Sequence, residues 1–380
     1  MASSSETRKI RYAVVGAGNI AQVAVLPAFE HAAESSELVA LISGDEEKRE
    51  ELGGRYRIPR TGGYDDYDRI LESGEVDAVY IALPNTQHRE YTERAARAGV
   101  HVLCEKPMAM TEEDCEAMIR ATEEAGVKLM VAYRLHFEEA NLQAVEIARS
   151  GMIGDVQIFS SVFTQQARPG DIRTRGDVGG GALYDLGLYC VNAARYLLRA
   201  EPEEAYAFAV WGQDPRFRDV DETVTAVLRF PGDRQAMLTV SQALAGVSSY
   251  RIVGTRGDLR VEPAYEYMGE LIHHLTVDGQ MIERVFPQRD QFAPEIVYFS
   301  RCILTGQDPE PSGVEGLADV RVLRAIQRSA QEGKPIALPP FDRAKRPDMS
   351  QEIHKPPVPE VETVRAPSPT EEPGEERKVA

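Results

Sequence analysis

At 380 residues, with 43% hydrophobic and 27% charged side chains, the chain has a globular composition and is too long for one ordinary core. The net charge of −18 excludes a nucleic-acid-binding face, which needs a basic surface to neutralise phosphates. No apolar run approaches the ~18 residues of a membrane span, and polar Met1 to Lys9 carry no apolar signal core, so a cytoplasmic location without a membrane partner is expected.

Strand-like runs at 11–15, 38–42, 78–83, 101–104 and 128–132 alternate with helical patterns at 20–32, 46–56, 87–98, 112–125 and 139–150. This alternation predicts an α/β fold whose first domain, residues 8–135, is a doubly wound parallel sheet. After Gly154 the pattern turns β-rich, with runs at 156–163, 204–210, 223–230, 235–241, 250–253, 270–277 and 281–286. Pro231-Gly232-Asp233 reads as a hairpin turn, a helix is inserted at 183–198, and helices at 295–304 and 315–331 close the region. These elements predict a C-terminal α+β domain over 136–342, with a mostly antiparallel sheet for substrate binding and oligomerisation. From 343 to 380, Pro347, Pro356, Pro357, Pro359, Pro367, Pro369 and Pro373 punctuate a polar stretch, which predicts an extended or disordered tail free to drape over a neighbouring subunit. Cys104, Cys115, Cys190 and Cys302 form no Cys-x-x-Cys pair and the histidines show no ligand spacing, so reduced thiols and no metal are expected.

The first strand runs into Gly16-Ala17-Gly18-Asn19-Ile20-Ala21 and then a helix, the arrangement of a dinucleotide-binding Rossmann turn. Gly16 permits the turn, Gly18 lets the backbone approach a pyrophosphate, and the helix start offers free amides to it. The second strand ends at Ser43, which is small and neutral where an NAD enzyme would carry an acid. Lys48 and Arg49 follow as candidates to neutralise a 2′-phosphate, whereas Asp45 is available to a ribose hydroxyl, so the reading favours NADP over NAD.

Glu105-Lys106-Pro107 ends a strand at the carboxyl edge where open sheets bind ligands. Lys106 there can hydrogen-bond a substrate hydroxyl, and burial is expected to depress its pKa toward proton transfer. Later, Gly179-Gly180-Gly181 leaves backbone bare for a close approach, and Asp185, Tyr189, Asn192 and Tyr196 follow on one helical face. A polar stripe on a buried helix needs partners, which a polyhydroxylated ligand or the protein itself can supply.

Taken with Leu83-Pro84-Asn85-Thr86-Gln87-His88 and Ala132-Tyr133-Arg134-Leu135-His136, these motifs resemble the Gfo/Idh/MocA oxidoreductases over about residues 10 to 341, and most closely the glucose–fructose oxidoreductase branch. The resemblance implies an NAD(P)-dependent sugar dehydrogenase or reductase acting on CH–OH groups, assembled as a homodimer or homotetramer. It implies Lys106 and Tyr189 as the pair handling the hydroxyl, and Asp185 as a catalytic residue orienting the sugar, with Asn192 beside it. Ser43 and Lys48 match positions holding the 2′-phosphate, and Pro84, Asn85, His88, Glu105 and Arg134 match cofactor-lining residues. Two other functions fit the same architecture: NAD-dependent redox-neutral glycoside hydrolysis, and non-catalytic dinucleotide sensing by a regulator.

Overall fold

The computed structural model describes residues 8–343 and 345–371. Six strands make a parallel sheet: β1 (Ile10–Val15), β2 (Ser36–Ile42), β3 (Arg60–Gly62), β4 (Ala78–Ile81), β5 (His101–Cys104) and β6 (Leu129–Val131), in the order β3-β2-β1-β4-β5-β6. Helices lie on both faces, so β1 and β4 are apolar and buried almost throughout. The winding reverses between β1 and β4, and their carboxyl ends open the crevice in which such sheets take ligands.

The second sheet has nine strands: β7 (Val156–Gln166), β8 (Glu204–Trp211), β9 (Asp221–Phe230), β10 (Arg234–Ser241), β11 (Ala243–Gly254), β12 (Gly257–Val261), β13 (Leu271–Val277), β14 (Gln280–Phe286) and β15 (Ile336–Ala337). Only the β7–β10 pair is parallel; the other neighbours are antiparallel. The turn at Gly232 and Asp233, both at positive φ, closes the β9–β10 hairpin where Phe230 faces Arg234. Alternation sorts the faces: Phe159, Phe163, Leu228 and Leu238 are buried, while Ile158, Val162, Phe208, Val227 and Met237 are exposed.

Two late helices return to the first sheet. Phe292, Ile296 and Phe299 join the apolar cluster of Tyr12, Val14 and Tyr80, and the Tyr12 hydroxyl lies 2.8 Å from Ser300 Oγ. Along the helix Gly313–Glu332, a Cβ on Gly316 would stand 2.7 Å from Met108 Sδ, so its absence lets that helix press against the turn after Lys106.

Of the extended or disordered tail expected, residues 345–371 form mostly extended backbone that packs on this chain's own surface. Gln351 donates to the Glu310 carbonyl at 2.9 Å, Val364 is buried, and the Gln22 amide is bracketed by the Val364 N–H (2.7 Å) and carbonyl (3.0 Å). Proline removes donors and stiffens the chain, and here the extended backbone left over pairs with side chains of the chain's own surface. The remainder of the expected tail, 372–380, lies outside the described residues. Just ahead of this segment Arg343, 5% exposed, pairs with Glu310 and Glu315. Ending the chain at Phe341 removes this buried cation and leaves the Gln22 amide with only its 2.9 Å bond to the Ala17 carbonyl, its oxygen having lost the Val364 N–H. A fall in melting temperature of about 5 °C or more is expected in calorimetry; an unchanged value would show that the segment adds no stability.

Candidate active site

The glycine turn is built as a groove wall. Gly16 has φ +97°, and a Cβ there would lie 2.3 Å from the Ala82 carbonyl oxygen, so the turn is closed against the end of β4. A Cβ on Gly18 would meet nothing within 4 Å, which leaves that backbone bare toward the crevice. Asn19 and Ile20 open the helix, and its next turn, Ala21–Val25, is widened to π-helical spacing.

At the end of β2, Ser43 is buried and its Oγ accepts from the Asp45 N–H at 3.3 Å. Asp45 caps the helix Glu46–Arg55, with one carboxylate oxygen accepting from the Lys48 N–H at 3.3 Å and the other 3.3 Å from Arg365. Arg49 donates to the Ser43 carbonyl at 2.6 Å. The acid that sequence left open to a ribose hydroxyl is therefore engaged as a helix cap. Bare Gly18, neutral Ser43 and the nearby cations together fit a phosphorylated dinucleotide.

Pro84 precedes the short helix Asn85–Gln87, from which Asn85 donates to the Gly179 carbonyl at 2.8 Å. A Cβ on Gly179 would lie 2.7 Å from Met110 Sδ, and one on Gly180 would lie 2.5 Å from the Ile172 carbonyl oxygen. The close surface that the glycines admit is thus the rest of this chain. His88 is buried with its ring nitrogens 2.9 Å from the carbonyls of Leu83 and Pro107, and desolvation holds its pKa below the ordinary value. It ties the β4 loop to the Lys106 turn. Glu105 accepts from the Tyr80 hydroxyl at 2.8 Å and from the Lys106 N–H at 3.2 Å, and burial raises its pKa.

Lys106 and Tyr189 come together: the ammonium sits 4.4 Å from the ring centroid. Lys106 also donates to the Asp185 carbonyl and carboxylate, both at 3.3 Å. Burial opposes its charge, but the oxygens of Tyr189, Asp185 and Glu105 outweigh that, and its pKa is raised. The expected depression is therefore corrected: Lys106 is a held cation and donor.

Asp185 is fully engaged as well. Its second carboxylate oxygen accepts from Arg173 Nε and from Gln242 Nε2, both at 2.7 Å. Burial pushes against ionisation, yet the charges of Arg173 and Lys106 and the donors from Arg173 and Gln242 hold its pKa well below the carboxylate range. Arg173 and Gln242 are not legible as site residues in the sequence. Arg173 lies in the irregular stretch 168–178 and Gln242 between two strands, so neither falls on a periodic face.

The stripe on the helix beyond Gly181 divides. Asn192 donates to Glu315 (3.0 Å) and Asp319 (2.8 Å), and its Oδ1 lies 2.8 Å from His136 Nε2; Tyr196 donates to Asn141 at 2.5 Å. These polar groups have partners within the protein, although Asn192 also lines the cavity that Lys106, Arg134 and Tyr189 border. Tyr189 alone on the stripe keeps its hydroxyl toward the site, 3.3 Å from Arg134 Nη2. Arg134 is buried and also donates to Gln291 and to the Tyr265 carbonyl. Lys106, Tyr133, Arg134 and Tyr189 border one small cavity. The arrangement sets a phenol between two permanent cations at the carboxyl edge of the sheet, a place where a hydroxyl proton can be taken up and returned.

Residues 10–133 match the model of an oxidoreductase family with an NAD-binding Rossmann fold, and residues 141–260 match the GFO/IDH/MocA C-terminal domain. A D-xylose 1-dehydrogenase [NADP(+)] of Haloarcula marismortui is 32% identical over 87% of this chain and 93% of its own length. The solved aldose-aldose oxidoreductase from Caulobacter crescentus, complexed with glycerol, is 38% identical with a TM-score of 0.82, over 87% of this chain and 100% of that one. KijD10, a 3-ketoreductase from Actinomadura kijaniata in complex with NADP and TDP-benzene, is 30% identical with a TM-score of 0.78, over 85% of this chain and 98% of its own. These relatives are spanned almost whole, while part of this chain has no counterpart in them. With both family models in sequence along one chain and these relatives around it, the chain belongs to the Gfo/Idh/MocA oxidoreductase family.

Proposed function

We propose that this chain is an NADP-dependent oxidoreductase transferring a hydride between the cofactor and a hydroxyl or carbonyl of a pyranose-type sugar. The observation carrying this is the Lys106 ammonium 4.4 Å from the Tyr189 ring, with Arg134 3.3 Å from the same phenol's oxygen. The xylose dehydrogenase and aldose-aldose oxidoreductase relatives, and the NADP in KijD10, support the sugar and the cofactor. Gly16, Gly18, Asn19, Ile20, Ser43, Lys48, Pro84, Asn85 and Glu105 would hold the dinucleotide, which when bound accepts or supplies the hydride.

In oxidation Tyr189 takes the proton of the sugar hydroxyl, its oxygen held beside Arg134 and its ring beside Lys106. Lys106 donates to the same sugar oxygen and stabilises its developing charge. Asp185, Arg173 and Gln242 are positioning residues that hold the lysine in place. A panel of aldoses, ketoses and inositols, followed by NADPH absorbance, tests the reading; no turnover of NADP with any of them would reject it.

Tyr189→Phe removes one hydroxyl and little volume, so turnover on the substrate so found should fall about a hundredfold or more with NADP binding retained. Lys106→Met should be at least as damaging, and the double variant little worse than the poorer single one. Near-normal turnover in Tyr189→Phe would move the proton transfer to another group. Ser43→Asp sets a carboxylate where a 2′-phosphate would lie, and titration calorimetry should show weaker NADP+ binding with NAD+ spared or improved. Equal NADP+ affinity would show the ribose site misplaced.

The exposed Ile158, Val162, Phe208, Val227 and Met237 line the face of the second sheet away from its helices, and a second copy of this chain is the partner proposed for it. Light scattering should give a dimer or tetramer of the 42.1 kDa chain, and Val227→Glu with Met237→Glu should dissociate it. A monomeric parent chain would refute this assembly.

A further inference from the structure

The C-terminal segment crosses the mouth of the crevice rather than lying on a remote surface. Lys355 reaches Glu34 at 3.3 Å, and the Glu362 carbonyl accepts from Arg55 at 2.6 Å, so the segment climbs along the helices of the first sheet. Val364 is then pinned by Gln22, and the Ala366 carbonyl accepts from Asn19 Nδ2 at 3.0 Å, one residue from bare Gly18. Three residues on, the segment is attached to the second sheet's side of the crevice. The Pro369 carbonyl accepts from the Arg168 N–H at 2.9 Å, the Thr370 carbonyl from Arg168 Nε at 2.8 Å, and the Glu371 N–H donates to the Gln166 carbonyl at 3.0 Å. The backbone between these anchors therefore bridges both walls above the glycine turn.

Arg365 lies between the two inner anchors. With Val364 buried and Ala366 held, its backbone adopts φ +46°, a left-handed conformation uncommon for a side chain of this size. Its guanidinium stands 3.3 Å from Asp45 Oδ2 and 3.3 Å from Glu47 Oε2, the cap and first turn of the helix that follows Ser43, and remains 61% exposed. That stretch is poorly suited to an anion by itself, since residues 45–49 hold three acids, Asp45, Glu46 and Glu47, against two bases, Lys48 and Arg49. Arg49 is moreover committed to the Ser43 carbonyl. Arg365 cancels the excess acid and adds a forked donor of the kind that matches phosphate oxygens.

We propose that the segment around residues 363–371 is the outer wall of the dinucleotide groove, and that Arg365 on it is a specificity residue for the cofactor's 2′-phosphate. The inference rests on the reading of the groove as an NADP site and adds to it a residue contributed from the far end of the chain. A wall tied to both sides of the crevice also slows the escape of what lies beneath it.

Titration calorimetry of the full chain with NADP+ and with NAD+, in parallel with Arg365→Ala and Arg365→Lys, tests this. Arg365→Ala should weaken NADP+ about tenfold, as loss of one charge-assisted phosphate contact does, and leave NAD+ within about twofold; Arg365→Lys should fall between. Unchanged NADP+ affinity, or an equal loss of both dinucleotides, would overturn the role of Arg365 while leaving the NADP reading intact. A parent chain that prefers NAD+ or binds neither would overturn both. For the wall, a chain ending at Val361 should release NADPH at least about tenfold faster when chased with excess NADP+ and followed by NADPH fluorescence; an equal rate would overturn it. If that shorter chain does not fold, the same chase on Arg168→Ala, which cuts the side-chain tie to the Thr370 carbonyl, decides.

Discussion

A largely enclosed ammonium needs a counter-charge, and that requirement at Lys106, 15% exposed, organises the site. Without a partner its desolvation would cost several kcal/mol, and the carboxylate that answers it comes from the other half of the chain. Asp185 is delivered by the helix turn that follows Gly179 to Gly181, and it is itself held by Arg173 and Gln242. The pairing brings the carboxyl edge of the parallel sheet against the second sheet, with Asn85 and the Gly179 carbonyl as a second tie beside it. Tyr189, one helical turn beyond Asp185, is carried to the lysine by this docking. The chemistry therefore depends on an ion pair whose first effect is structural.

The same economy of charge recurs at the edge of the crevice. Asp45, which by position competes for a ribose, is occupied in capping its own helix and in facing Arg365. Its negative charge is screened without being removed, and the small neutral Ser43 is left to define the space. The late helices and the C-terminal segment act alike, returning from the second half to cover the first sheet, so the two halves share one apolar cluster through Phe292, Ile296 and Phe299.

The sequence made the first sheet readable because its strands are continuous apolar runs and its helices carry period and caps. β3 escaped notice because Arg60-Thr61-Gly62 is three residues long and polar, and β12 because Gly257 and Asp258 disguise it. Lys106, Tyr189 and Asp185 could be singled out, since each sits in a motif with a local geometric reason. Their electrostatics could not, because the sign of the Lys106 shift depends on Asp185 and Tyr189 being brought from a distant helix to join the neighbouring Glu105. Asn192 shares a face with Tyr189, but periodicity does not reveal that Glu315 and Asp319 already wait for it. The docking of the tail on its own chain was hidden for a related reason. Its prolines and lack of periodicity describe a segment without internal structure, which is silent on whether folded surface receives it.

In the proposed reaction Tyr189 and Lys106 meet a single oxygen of a sugar. A crystal structure of the Tyr189→Phe chain with NADP+ and the sugar identified as substrate would test it most directly, since the slowed chain should retain the unreacted hydroxyl. The Lys106 ammonium should lie within hydrogen-bond distance of the reacting sugar oxygen, which should also lie beside the edge of the Phe ring where the phenol oxygen stood. A sugar whose reacting carbon instead faces other side chains, with Lys106 bound only to Asp185, would contradict it.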